Sequence, residues 1–447
     1  MLLRFVTDTL RRVGLFNPGE SADKSLHKPC AAHGRSRTTR QKLLGLILLG
    51  TIVLIGICSA DFRVSHYSAS QLEQIMFARE ADALRFTAHC RRDWHQLFRG
   101  WEELQRRVIH GDTQIGIVVW RCREICGGLG DRQRGILTSF ALAITTGRAF
   151  FIDSPLPVPL QHYFRVASPD LHWIFCEDML HNRSVLEESF MDCFPSIGDY
   201  AHANLSYYQS FDIIIQKNNF WNPLSILQNP SLRSQRLLLS YDPSTLAGCI
   251  LNYLLVPAPE LQLQAAQLGQ RYSSNDNVIA VQIRSGDNQI KNATVLDELV
   301  ATFEQCLSQV SQRSSRDHAL FLTTDSVEVE NRIRTKAAYP DLRTFVGPIA
   351  HVDGFFGAAG NPDIAFRKIV LDHIMLSYAN QLIISRSGFA EFAALRGFRP
   401  YYTPPSCASS DQVFHQFPKE LPAGVPATQL NSVNDILMPS FERRNQE

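Results

Sequence analysis

The sequence predicts an α/β protein built on parallel β-sheets, and three observations support this. Residues Ile115 to Asp153 read in order as strand, glycine loop, helix and strand, which is a βαβ crossover. The second half of the chain repeats an apolar strand followed by a polar turn, with helical segments between. The strands are short and rich in β-branched residues, as is typical of strands buried on both faces of a parallel sheet.

Length and charge limit the possible functions. The chain has 447 residues, which favours two or three domains, and its net charge of +1 gives no sign of a nucleic-acid partner. Hydrophobic residues make up 45%, enough for a large core. Nothing in the sequence indicates an oligomeric state.

Residues 43–60 are predicted to form a single membrane anchor. Leu43–Ala60 is uncharged and, at about 1.5 Å per residue, just spans a thin hydrocarbon core, which favours early secretory membranes. The basic residues before it, Arg35, Arg37, Arg40 and Lys42, predict a cytosolic tail at 1–42 and a lumenal C-terminal part. A signal peptide is the alternative, but the apolar run starts late and lacks a clear small-x-small cleavage site.

Cysteine usage agrees with a lumenal location. Eight of the ten cysteines follow the predicted anchor, and an even number fits disulfide bonding. Cys122 and Cys126 are too isolated from histidine to indicate zinc, so we predict a disulfide between them beside the glycine loop. Sequons are present at Asn182, Asn204 and Asn292.

Residues 61–111 are predicted to form a helical stem or a helix packed on the body of the protein. Ser68–His110 has no proline and few glycines, and its apolar stripe includes Trp94 and Trp101. These tryptophans could form a carbohydrate platform, but aromatic residues at helical spacing more often pack in a core. We therefore predict packing.

The glycine loop Gly127–Arg132 lies just before a predicted helix, Gln133–Thr146, and between the predicted strands Ile115–Trp120 and Ala149–Ile152. Glycines allow positive φ, and N–H groups at a helix N-terminus can face an anion or a sugar hydroxyl. The alternative is a tight turn whose glycines serve only the strand-to-helix geometry. Neither an NAD fingerprint nor a P-loop is indicated, because the third glycine and the Lys-Ser/Thr pair are missing.

Composition changes near the middle of the chain. The region 155–260 is irregular and contains many prolines, which suits variable acceptor-binding loops, and Pro257–Pro259 with the polar stretch after it marks a boundary. We predict a first domain at 112–265, a second at 266–420 and a tail at 421–447.

Three strands of the second domain end at polar turns. The strands are predicted at Val278–Ile283, Ala319–Leu322 and Gln381–Ile384, and helices at Leu296–Gln312, Ile364–Tyr378 and Phe389–Arg396. Ligands of an open α/β sheet bind outside the carboxyl ends of its strands, so we expect these turns to converge on one site.

The polar turns carry groups suited to a phosphorylated ligand. The Arg284 guanidinium offers a fork of donors for a diphosphate, and the helix after Ser387 offers N–H groups and a positive dipole end. Ser385 and Thr324 add hydroxyl donors. A salt bridge with Asp287 is the alternative for Arg284. The implied ligand is a nucleotide sugar, and because the chain has no Asp-x-Asp triplet, no metal is expected.

Four peptides resemble those of a known family. Val281–Asp287 resembles the His-x-Arg-x-Gly/x-Asp peptide of the fucosyltransferase superfamily, which groups α1,6-, bacterial nodulation, plant xyloglucan and protein O-fucosyltransferases. Gly127–Arg132 is similar to their glycine-rich loop, Ala319–Asp325 to their middle peptide, and Ile384–Leu395 to their serine-containing third peptide. Gln282 departs from the family, which usually has histidine there.

The resemblance implies a GT-B fold, with two Rossmann-like domains facing a cleft, and an inverting, metal-independent fucosyltransferase. Together with the predicted anchor, it leads us to expect a type II enzyme of the Golgi membrane. The donor would be GDP-fucose and the acceptor a glycan or glycoprotein, with no further cofactor. Arg284 would bind the diphosphate. The family does not share one base, but a carboxylate near the cleft is chemically sufficient, and Asp287 and Asp131 are the candidates, although either can instead orient Arg284 or cap a helix. The donor-binding residues would be Gly128, Gly130, Arg132, Thr324, Asp325, Ser385, Ser387, Gly388 and Phe389.

Two other functions stay open. The chain can be a GT-B transferase for another nucleotide sugar, or a catalytically silent lumenal protein that binds glycans, because fold does not fix function. The acceptor is not predicted, since the region 155–260 carries no motif for it.

Overall fold

The computed structural model describes residues 90, 92–124, 126–190, 205–219, 243–270, 277–286, 292–313, 318–335, 339, 342–349, 361–405 and 407. The predicted anchor at 43–60, most of the stem, Asn204, Asp287 and the tail lie outside these residues. Within them, no helix combines the length and the apolar character needed to cross a membrane. The sheets described below belong to one compact unit.

The described residues form ten strands and nine α-helices. The strands are β1 Ile117–Arg121, β2 Ala149–Asp153, β3 Phe164–Arg165, β4 Val185–Phe190, β5 Ile213–Asn218, β6 Val256–Pro257, β7 Asn277–Ile283, β8 His318–Thr324, β9 Gln381–Ile384 and β10 Tyr401–Tyr402. The helices are α1 Arg92–Ile109, α2 Leu129–Thr146, α3 Leu205–Gln209, α4 Pro243–Leu254, α5 Pro259–Gln270, α6 Ala293–Arg313, α7 Val327–Arg334, α8 Pro362–Tyr378 and α9 Gly388–Gly397, with short 3-10 turns at Leu160–His162 and Glu177–Leu180.

The first sheet is parallel, with the strand order β2-β1-β5-β4. Its central strand β1 is apolar and fully buried from Ile117 to Trp120, which confirms the predicted βαβ crossover. Helix α2 begins earlier than predicted, because Gly128 is extended at φ −67° and its N–H donates to Asp131 Oδ2 at 3.0 Å. It ends at Gly147, whose φ of 67° is left-handed.

Part of the region predicted to be irregular is regular. Strand β5, Ile213–Asn218, pairs with β1 on one side and with β4 on the other. Its residues Ile213–Gln216 are buried, so β5 is a central strand of the first sheet. The prediction that 155–260 is irregular was therefore wrong at β5, because its short apolar run is flanked by polar residues.

The second sheet is also parallel, with the order β10-β9-β7-β8. Strands β7, β8 and β9 and helices α6, α8 and α9 lie where the sequence predicted them, with small differences at their ends. Together the two sheets confirm an α/β protein with parallel sheets. The disulfide Cys306–Cys407 joins α6 to the residues that follow β10.

Helix α1 is the described part of the predicted stem, and it packs on the first sheet. Phe98 and Trp101 are both 2% exposed, which confirms packing for Trp101, whereas the side chain of Trp94 lies outside the described residues. The Gln105 side chain accepts from the N–H of Phe150 and donates to its carbonyl, both at 2.8 Å. The disulfide Cys90–Cys249 also joins this end of the chain to α4.

Helices between the two sheets share one hydrophobic core. Buried apolar residues of α2 and α4 form a single cluster with those of α8 and α9. The Asn252 side chain donates to the Arg396 carbonyl at 2.8 Å, and a Cβ placed on Gly248 would lie 2.5 Å from the Leu395 carbonyl oxygen. The two sheets are thus held by close backbone packing as well as by side chains.

Candidate functional site

The carboxyl ends of β7, β8 and β9 meet at one edge of the second sheet, as the sequence predicted. The backbone N–H of Arg284 donates to Ser385 Oγ at 2.9 Å. The backbone N–H and the hydroxyl of Ser285 donate to Asp325 Oδ1 at 2.7 and 2.9 Å. These bonds fix the three polar turns to one another.

A cavity of about 80 Å³ opens at this edge. The described residues that line it are Gly128, Leu129, Gln282, Arg284, Thr323, Thr324, Asp325, Pro348, Ile349, Lys368, Ile369, Asp372, Ser387 and Phe389. A larger cavity of about 700 Å³ lies near the C-terminal ends of α8 and α9, away from these turns. The smaller cavity holds the polar groups that the sequence singled out, so we take it as the site.

Two helix N-termini, one from each half of the chain, meet beside this cavity. A Cβ placed on Gly130 would lie 2.4 Å from both the carbonyl carbon of Gly388 and the amide nitrogen of Phe389. Only glycine allows the first turn of α2 to approach the first turn of α9 so closely. The N-termini of the two helices, which carry their positive dipole ends, therefore lie next to each other.

Ser387 and Phe389 line this cavity. Ser387 is the N-cap of α9, but its side chain makes no capping bond, and its buried hydroxyl oxygen has no hydrogen-bond partner in the described part of the chain. The ring of Phe389 lies 5.4 Å from that of His373. Burial and the nearby Arg396 hold the pKa of His373 well below its usual value, so this imidazole is neutral.

Asp131 and Arg132 hold the glycine loop and do not line the cavity. Asp131 accepts from the Gly128 N–H, and its other oxygen lies 3.6 Å from the Arg134 guanidinium. Arg132 is fully buried and donates to the Gly127 carbonyl at 3.2 Å and to the Leu156 carbonyl at 2.9 Å. Both residues thus act on the loop rather than face the cavity.

The glycine loop is also fixed by a disulfide. Cys122 and Cys126 are bonded, as predicted, and Arg132 Nη1 donates to Cys122 Sγ at 3.0 Å. Gly127 follows at a φ of +81°, a conformation that favours glycine. The chain therefore enters α2 along a path set by covalent and hydrogen bonds.

The structure describes Arg284 but not Asp287. Arg284 is half-buried and lines the cavity, whereas Asp287 lies outside the described residues. Thr324 and Asp325 also line the cavity. The Ser385 hydroxyl oxygen accepts a hydrogen bond from the backbone N–H of Arg284. In the described part of the chain, no group of three His, Cys, Asp or Glu side chains is placed to hold a metal ion.

Sequence reasoning missed a buried charged cluster in the cavity wall. Lys368 Nζ lies 2.6 Å from Asp372 Oδ2, and both side chains are 5% exposed. The Thr323 hydroxyl donates to the same oxygen at 3.0 Å. Burial raises the pKa of Asp372, and the ammonium and hydroxyl oppose that rise. The one-turn spacing of the lysine and aspartate was visible, but it is also typical of exposed pairs.

No family model matches the chain, and no curated protein matches it. Several solved structures are similar to it. A mutant of Arabidopsis thaliana FUT1 in complex with GDP is 14% identical, covers 75% of this chain and 79% of its own, and has a TM-score of 0.51.

NodZ α-1,6-fucosyltransferase from Bradyrhizobium, soaked with GDP-fucose, is 16% identical and covers 63% of this chain and 92% of its own, at a TM-score of 0.42. POFUT1 in complex with GDP-fucose is 11% identical and covers 65% of this chain and 98% of its own, at a TM-score of 0.37. Of these three, FUT1 aligns with a TM-score above 0.5, which shows a common fold, and at 14% identity it shows the fold alone. The chain therefore has the fold of FUT1, in agreement with the resemblance to the fucosyltransferase superfamily that its motifs carry.

Proposed function

We propose that this protein is an inverting, metal-independent fucosyltransferase that uses GDP-fucose. The observation that carries the proposal is the convergence of Arg284 with the N-termini of α2 and α9 on one cavity. This arrangement provides a fixed cation and two positive dipole ends for a single anionic group. A diphosphate fits that need, because its charge rises as the sugar departs.

In the proposed reaction, Arg284 and the helix N–H groups stabilise the departing GDP while the sugar passes through an oxocarbenium-like state. Inversion requires a base on the opposite face of the sugar. Of the two carboxylates considered, Asp131 is engaged with the N-terminus of α2. We therefore propose Asp287, which follows Arg284 closely in the sequence, as the base.

The inner wall of the cavity suits guanine. Asp372 Oδ1 and Gln282 Oε1 are buried, and neither accepts a hydrogen bond within the described residues. A base that brings N–H donors satisfies such acceptors, and guanine carries a ring N–H and an amino group on one edge. The cavity volume of about 80 Å³ is below the roughly 300–1,000 Å³ of ligand pockets, so we propose that the lining side chains rearrange on binding.

One experiment distinguishes the proposed function from the two alternatives, a transferase for another nucleotide sugar and a catalytically silent glycan-binding protein. The chain is incubated with GDP-fucose and with UDP- and CMP-sugars, and release of each nucleotide is measured. We expect turnover with GDP-fucose above the others. Turnover with another donor would support a different transferase, and neither turnover nor a thermal shift with any nucleotide would support a silent glycan-binding protein.

We expect the activity to survive EDTA, because Arg284 and the helix N-termini occupy the role that a cation has at a diphosphate. The measurement is donor turnover with and without the chelator. Loss of activity with rescue by manganese would contradict this part of the proposal. The control is a manganese-dependent transferase inhibited under the same conditions.

We also propose a type II topology in the Golgi membrane, with 1–42 in the cytosol, 43–60 as the anchor and the sheets in the lumen. The basic residues before 43–60 and the described disulfides support it. Protease added to sealed microsomes is expected to remove only the short tail. Digestion of the large domain in sealed vesicles would contradict this topology.

The two halves are proposed to divide the substrates, with the acceptor bound by 112–265 and the donor by 266–420. The donor assignment rests on Arg284 and Ser387, which lie at the edge of the second sheet. The acceptor class is proposed as a glycan or glycoprotein. A glycan array screened with labelled donor would identify it.

A further inference from the structure

Lys368 and Asp372 form an ion pair inside the wall of the proposed donor site. They lie one turn apart on α8, and Lys368 Nζ is 2.6 Å from Asp372 Oδ2. The Thr323 hydroxyl donates to that same oxygen. Oδ2 therefore receives two donors, whereas Oδ1 receives none from the described residues. The carboxylate is held so that one oxygen is occupied and the other is left for a ligand.

Packing fixes the position of the lysine. A Cβ placed on Gly347 would lie 3.2 Å from Lys368 Cδ and 3.4 Å from its Cβ, so the loop that carries Gly347 covers the lysine stem. The Lys368 side chain is 5% exposed, and its ammonium is in contact with Asp372. Its charge is thus paired with this carboxylate, whereas the Arg284 side chain is a cation that lines the cavity at the polar turns.

A carboxylate buried without a cation becomes protonated, because burial disfavours its charged form. Around Asp372, Lys368 on α8 and Thr323 on β8 favour the charged form, and Glu330 on α7 disfavours it. Lys368 is the only cation among these groups. Without it, protonation of Asp372 would extend to higher pH, and the carboxyl would lose its strength as an acceptor.

We propose that Lys368 is a positioning residue that keeps Asp372 as a charged acceptor for the amino group of the donor base, and so sets the choice of base. This inference rests on the proposed function, because it requires a guanine nucleotide in the cavity. The alternative is an ion pair that only stabilises α8 against β8. The two roles predict different effects of a Lys368 substitution on the preference for the donor base and on the pH dependence of that preference.

The test compares GDP with inosine diphosphate, which lacks the base amino group, by equilibrium binding to the full chain between about pH 6 and 8. The affinity ratio is used because ionisation of the diphosphate affects both ligands alike. The parent is expected to prefer GDP by about tenfold or more, the effect of one hydrogen bond to a charged group.

In Lys368→Met, we expect this preference to disappear at the acidic end and to return as the pH rises. The pH of half-maximal preference should lie about one unit or more above that of the parent. Lys368→Gln is measured in the same way in case the methionine variant does not fold. Lys217→Met is the matched control, because Lys217 pairs with Glu187 at 3.3 Å away from this site and should leave the ratio unchanged.

An unchanged ratio and pH profile in both Lys368 variants would overturn the inference. An equal loss of both ligands at every pH would also overturn it, because that result indicates a structural role. If the parent binds neither nucleotide at any pH, the proposed function itself fails, and that outcome is distinct from the other two.

Discussion

Replacing Arg284 with lysine is expected to lower donor turnover by about 10²–10³-fold, equivalent to about 3–4 kcal/mol of transition-state stabilisation. The lysine keeps the charge but loses the planar fork, so it cannot direct two parallel bonds to the departing diphosphate. The backbone N–H of Arg284, which bonds to Ser385 Oγ, is retained by the variant. The loss should therefore reflect the guanidinium and leave the turn intact.

The measurement is turnover of GDP-fucose by a variant that melts within a few degrees of the parent. Arg107→Lys is a matched control. Arg107 lies on α1, is about half exposed and forms an ion pair with Asp112 at 2.6 Å. Its replacement should leave turnover unchanged and cost at most about 1 kcal/mol of unfolding free energy. Activity of Arg284→Lys above about a third of the parent value would contradict the diphosphate role.

Replacing Gly130 with alanine is expected to lower donor turnover by about 10²-fold. The added Cβ would lie 2.4 Å from two backbone atoms at Gly388 and Phe389, which cannot move aside as a flexible side chain can. The N-termini of α2 and α9 would have to separate, and a displacement near 1 Å of positioning groups typically costs about 10²-fold in rate. We also expect a loss of about 1–3 kcal/mol in unfolding free energy from overpacking.

The matched control is Gly100→Ala. Gly100 also lies in a helix, but a Cβ there would have no heavy atom of the described residues within 4 Å beyond the backbone of its own helix. Because alanine favours the helix more than glycine does, this variant should gain about 0.5–1 kcal/mol and keep full turnover. If Gly130→Ala binds GDP and turns over donor like the parent, the two N-termini do not form the diphosphate site.

The local pattern of the sequence predicted the strongest elements well. Strand β9 was predicted at its observed bounds, and β7, β8 and α8 differ only at their ends. These segments carry a continuous apolar run or clear helical spacing that is followed directly by turn residues, so neighbouring residues determine their backbone preference. The convergence of their polar turns followed from the parallel arrangement.

Weaker patterns failed for a physical reason. Strand β5 was missed although it lies between β1 and β4 in the first sheet. Its pairing with β1 joins residues nearly a hundred positions apart, as in the bond from the Trp120 ring N–H to the Asn218 carbonyl. Such pairing depends on which surfaces are buried together, and periodicity within a short window does not report it.

The sequence by itself determined the α/β class, the parallel strands and the edge at which Arg284 and Ser387 lie, because apolar runs and turn chemistry act over a few residues. Only the tertiary structure decided that Gly130 meets Gly388, that Arg132 is buried in the loop, and that Lys368 pairs with Asp372 in the cavity wall. These features depend on the packing of helices from both halves of the chain. A glycine needed for close approach and a buried charge look, in sequence, like a turn and a surface pair.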